Sequence, residues 1–173
     1  MGVIGYREKI QENKIMKKIN HELFGEIVHD LYWSGQQKIT IFGQEKIVSL
    51  TIDGEEDDLI PKVQEEAYRK FITDINKLTK EAEQAIFEYY KEEYMEYRDM
   101  VGDESADKIA PIITTIQELG KLVEPVGLII LPDFEDGIRR VGLIFNCTWE
   151  EDGVGVKFEN EQVVEVGYQD IVI

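Results

Sequence analysis

Residues 146–160 read N-C-T-W-E-E-D-G-V-G-V-K-F-E-N and hold the chain's single cysteine, one of its two tryptophans, three consecutive acids and two nearby glycines. Three chemistries use such residues. A calcium loop needs about six to eight oxygens, drawn from alternating positions and a distal acid; Glu150, Glu151 and Asp152 are contiguous and point different ways. A phosphate cradle needs a further glycine and a following helix, whereas a β pattern follows Gly153-Val154-Gly155. A nucleophilic thiolate needs a neighbouring cation, and Cys147 lies in an apolar run with no basic residue beside it. A hairpin accounts for the whole stretch: Trp149 ends a strand, Glu150–Gly153 turn it, and Gly155 admits a bulge or close backbone approach. Cys147 is then a buried structural thiol.

Other reactive groups are scattered. His21 and His29 stand eight residues apart with no cysteine nearby, so a zinc site would have to recruit distant acids. Ser34, Ser49 and Ser105 lie outside any G-x-S-x-G motif. Carboxylate pairs are too numerous to single one out. No catalytic, metal or cofactor residue is assigned.

The stretch F-E-Y-Y-K-E-E-Y-M-E-Y, residues 87–97, places Tyr90, Tyr94 and Tyr97 at helical spacing among Glu88, Glu92, Glu93 and Glu96. One reading is an amphipathic helix with aromatic core contacts and a solvated acidic face. The other is a binding face, since tyrosine gives large contact area at low entropy cost. With Asp57 and Asp58 of the acidic run D-G-E-E-D-D and with Glu150 and Glu151, residues Tyr90, Tyr94, Tyr97, Glu92, Glu93 and Glu96 form the expected partner surface.

The net charge of −17 favours such a surface. It repels nucleic-acid phosphates and steers basic partners. Residues 1–22 carry five basic and three acidic residues, the remainder 14 and 33. Hydrophobic residues at 43 % and aromatic residues at 10 % support a packed core. One cysteine allows no internal disulfide, and no run approaches the ~18 apolar residues of a membrane span. The N-terminal sequence has no signal-peptide core, and a cytoplasmic location without membrane association is expected.

The elements follow from periodicity. Residues 6–20 read as a helical arm, placing an N-terminal arm over 1–22 ahead of a single α+β domain over 23–173. Segments 23–33, 37–42 and 46–52 are β-branched and aromatic, separated by S-G-Q and G-Q-E turns. From Val63 to Tyr90 apolar residues recur every three or four positions. One helix over 62–98 would be about 55 Å long, so a break is expected near Lys77–Lys80. Residues 105–122 read as a further helix capped by Ser105, with Pro111 as a later alternative start. Segments 126–132, 138–149, 154–158 and 162–168 return to strand. The order β-β-β-α-α-α-β-β-β-β predicts an antiparallel sheet of about six to seven strands with helices on one face.

W-S-G at 33–35, P-x-x-Q-x-x-A-Y at Pro61–Tyr68, Y-Y at 89–90 and V-G-L-I-F-N-C-T-W-E-E-D-G-V-G-V with a terminal V-V-E-V-G together resemble an uncharacterised bacterial family of single-domain proteins. The likeness spans residues 23–173. Asn146 and Thr148 depart from the family's pattern, and the loop is shorter and has no histidine. The resemblance implies a neighbourhood with immunity proteins of polymorphic toxins and carries over no catalytic residue. The leading expectation is a non-catalytic cytosolic binding protein, an acidic immunity protein neutralising a basic toxin. A small metal-dependent hydrolase using clustered carboxylates is the alternative, and a housekeeping scaffold the third.

Overall fold

The computed structural model describes residues 15–173. Eight strands form one sheet in sequence order: β1 (Lys17–His21), β2 (Gly25–His29), β3 (Trp33–Ile41), β4 (Gln44–Ile52), β5 (Val123–Ile130), β6 (Arg140–Cys147), β7 (Val154–Glu159) and β8 (Gln162–Gly167). Four helices run between β4 and β5: α1 (Lys62–Thr73), α2 (Ile75–Val101), α3 (Asp103–Ile109) and α4 (Ile116–Leu119). All neighbouring strands are antiparallel except β4 and β5, where Ser49–Ile52 runs parallel to Gly127–Ile130.

A tight turn joins only antiparallel neighbours, so the helical stretch is the crossover that returns the chain to the β4 edge. Ala67, Phe71, Leu78, Ala82 and Ile86 pack with Leu50, Ile52, Leu128, Ile130, Leu143 and Phe158 in one core. The period of two in a strand sends alternate residues to the opposite face. There Ile129, Leu131 and Ile144 meet Ile171 and Val172 of a short C-terminal 3-10 helix, Gln169–Val172. The run V-G-L-I-I-L is apolar throughout because β5 is covered on both sides. No helix among the described residues is long and apolar enough to cross a membrane.

Several expectations need correction. Lys17–Asn20 belong to β1, not to a helical arm, and residues 6–14 of that arm lie outside the described residues. Continuous pairing from Lys17↔His29 to His21↔Gly25 overrides the short apolar stripe, and adds an eighth strand. S-G-Q lies inside β3, because the reversal occurs at Asp30–Tyr32. The β4–β5 pair breaks the all-antiparallel expectation. The long helix does divide, but at Asp74, several residues before Lys77. Thr73 supplies a cause: its hydroxyl donates to the Arg69 carbonyl at 2.7 Å, a back-bond that bends helices. Residues 105–122 also divide. Gly102, not Ser105, precedes α3, and α4 starts from a Thr115–Glu118 capping box beyond Pro111.

Gly142 tests the packing of the C-terminal 3-10 helix. A methyl group there would stand 2.6 Å from Val172 Cβ and 2.9 Å from its Cγ1. Gly142→Ala is expected to cost about 1–3 kcal/mol through overpacking, read as a lower urea midpoint with faster amide exchange at Val172. An unchanged midpoint would contradict this packing.

Candidate functional site

Two regions gather the groups that the sequence singles out. The first is the hairpin loop after β6. Trp149 is buried and meets the Tyr90 ring edge-on at 4.7 Å. Gly153 adopts φ +61, and a side chain there would collide with the Gln169 amide and the Phe145 carbonyl; these two already bond to each other at 2.8 Å. At Gly155 a Cβ would meet the Tyr168 carbonyl at 2.9 Å. Both glycines are therefore sites of close backbone approach.

The acidic loop and the tyrosine helix form one assembly. The Tyr97 hydroxyl donates to Glu150 Oε2 at 2.9 Å and lies 3.3 Å from the Tyr168 hydroxyl. Burial, followed by these hydrogen bonds, raises the Tyr97 pKa above the usual phenol range. Tyr90 donates to the Pro111 carbonyl at 2.6 Å, and burial pushes it up to about 12. Tyr94 stacks on Tyr90 and is half-buried, as are Glu93 and Glu150. Glu92, Glu96 and Glu151 are exposed. The tyrosine rings thus fasten α2 to the hairpin, while the acids face outward.

Cys147 is partly buried and its thiol donates to the Glu150 carbonyl at 3.3 Å. Burial pushes the thiol from 9.0 up to about 11, which keeps it protonated and a poor nucleophile near neutral pH.

The second region lies at the carboxyl ends of β4 and β5. Gln64, buried in the first turn of α1, donates through Nε2 to the carbonyls of Asp53 at 2.9 Å and Leu131 at 3.0 Å. One side chain thus ties the helix start to the ends of both parallel strands. His29 Nε2 contacts the Gly54 carbonyl at 2.8 Å, and its ring packs edge-on against Trp33. His21 Nδ1 accepts the amides of Leu23 and Phe24 at 3.0 and 3.3 Å. The ring proton is thereby assigned to Nε2, which faces Glu65 Oε1 at 3.5 Å.

Beside this junction, along β1, opens a cleft of about 520 Å³, within the range of ligand-sized sites. Lys17, His21 and Trp33 line one side, the acidic run Glu56–Asp58 another, with Lys62 and Glu65 at the helix start. Asp57 and Asp58 are exposed, and Lys17 lies 3.9 Å from Asp57. The structure therefore splits the expected partner surface between the hairpin assembly and this cleft. Trp33 and His21 line the cleft and are not among the expected site residues. Gln64, which does not line it, carried a signal as a lone glutamine at position i−3 from Ala67 and i−7 from Phe71 on an apolar stripe. Among the described residues no three of His, Cys, Asp and Glu converge so as to hold a metal ion.

Two outcomes check the hairpin assembly. Cys147 in the native protein is expected to react with a disulfide reagent at pH 8 roughly a hundredfold more slowly than an unshifted thiol, with reactivity rising toward pH 11. A plateau below pH 9 would contradict the burial effect. Tyr97→Phe removes the donor to Glu150 and is expected to lower stability by about 1–2 kcal/mol, read from denaturant midpoints.

No curated protein and no solved structure matches the chain. The model of the family described as Domain of unknown function (DUF6985) matches residues 23–173, and the chain belongs to that family.

Proposed function

We propose that the protein is a non-catalytic binding protein that takes a basic protein partner, as an immunity protein takes a basic toxin. The observation that carries the reading is the charge of −17, with acids displayed outward at Asp57, Asp58, Glu92, Glu96 and Glu151. An excess of this size raises the encounter rate with a basic surface and repels nucleic acid. The groups most able to do covalent chemistry are committed elsewhere. Cys147 is held as a thiol, and the hydroxyls of Tyr90 and Tyr97 are bound within the fold.

The test is capture of the endogenous partner by the full chain at two salt concentrations. Screening shortens from about 10 Å at 0.1 M to about 3 Å at 1 M. A stoichiometric protein of high isoelectric point should be retained at the lower salt and released at the higher. No stoichiometric partner, or one held equally at both, would overturn the reading.

A further inference from the structure

The chain's two histidines both sit on the β1–β2 hairpin, one closing each strand. That hairpin is lightly held by the rest of the sheet. β2 pairs with β3 at Val28↔Ser34 and His29↔Trp33 and then diverges, whereas β3 pairs with β4 all the way from Trp33↔Ile52 to Ile41↔Gln44. A gap of about 580 Å³ opens where β2 and β3 part, with Phe24, Glu26, Ser34 and Gln36 in its lining. The far end is held by the turn instead: Phe24, 5 % exposed, sits edge-on against Tyr68 of α1 at 4.8 Å.

His21 organises that turn. Its Nδ1 accepts the Leu23 and Phe24 amides, so the neutral ring carries its proton on Nε2. An incoming proton has only Nδ1 to bind, and an imidazolium can accept neither amide. Charging the ring and keeping the turn are therefore mutually exclusive. His29 differs. Its Nε2 donates to the Gly54 carbonyl at 2.8 Å, a bond that a charged ring makes as readily as a neutral one.

The groups around His21 give a charged ring somewhere to go. Glu65 of α1 stands 3.5 Å from Nε2. Glu56, Asp57 and Asp58 of the crossover loop line the same cleft, against Lys17 of β1 and Lys62 of α1. Glu22 follows in the turn and is exposed. The remaining neighbour, the Phe24 ring at 4.7 Å, carries no charge. Five acids thus face the ring against two lysines.

We propose that His21 is a pH-sensitive latch. Neutral, it holds the β1–β2 turn through the Leu23 and Phe24 amides. Protonated, it turns to Glu65 and releases the hairpin tip, with Phe24, from Tyr68. The latch does not depend on which partner the outward-facing acids take.

The test is exchange of backbone amides with water in the full-length chain labelled with nitrogen-15, at about pH 7.5 and about pH 5.5, each rate corrected for the intrinsic effect of pH. Over this interval carboxylates stay mostly ionised, while an ordinary histidine, at about 6.5, takes up its proton. Where the charged ring occurs only with the turn open, protection of Leu23 and Phe24 falls about tenfold at the lower pH, and that of Val48 and Leu50 in β4 stays level. His21→Asn supplies a side-chain oxygen that accepts the same amides and does not titrate, so its protection should be equal at both pH values. Equal protection in the parent, a fall that persists in His21→Asn, or a fall shared by Val48 and Leu50 would each overturn the latch. Should His21→Asn fail to fold, the ring nitrogens of the parent decide the same point. Arrival of the proton at His21 Nδ1 and loss of protection should share one midpoint, and separate midpoints would overturn the proposal.

Discussion

The parallel pairing of β4 with β5 is the constraint from which the rest of the structure follows. Each half of the sheet is an antiparallel meander that tight turns could build unaided. Joining the halves in parallel obliges the chain to leave the carboxyl end of β4, cross one face and re-enter alongside. The helices are that crossing, and their apolar stripe is the reason one face of the sheet is dry. The same departure places a loop, a helix start and two strand ends together, and Gln64 locks the junction through Asp53 and Leu131.

The length of α2 produces the second region. Its 27 residues reach from the β3–β4 turn, where buried Glu83 accepts the Phe42 amide at 2.7 Å, to the hairpin after β6. That amide belongs to a residue at φ +52, an unusual conformation for phenylalanine, so the carboxylate helps hold a strained turn. At the other end Tyr90 and Tyr97 bind the Pro111 carbonyl and Glu150. The tyrosines therefore serve mainly as fasteners, and the outward-facing glutamates supply the charge.

Much of this was legible in the sequence. The return to strand after residue 122 and the buried face of the long helix follow from period, because both elements bury one side. The glycines of the hairpin were readable as geometry, since nothing else in the stretch met the demands of a metal or a phosphate. The parallel pair was not legible, because the continuous apolar run of β5 fits a strand covered on both faces in either direction. The first strand was hidden because Ile15, Met16 and Ile19 satisfy a helical stripe as readily as an edge strand. The cleft was hidden for a different reason. Lys17, Trp33 and Asp58 are distant in sequence and meet only through strand register and the crossover loop.

The central claim is the proposal that an acidic protein takes a basic partner on its outward-facing carboxylates. Hydrogen exchange of the full chain, alone and with its salt-sensitive partner, addresses it most directly. The account predicts slower exchange in at least one segment that displays those acids, 54–63, 87–97 or 150–153. Protection confined to segments outside all three would contradict it.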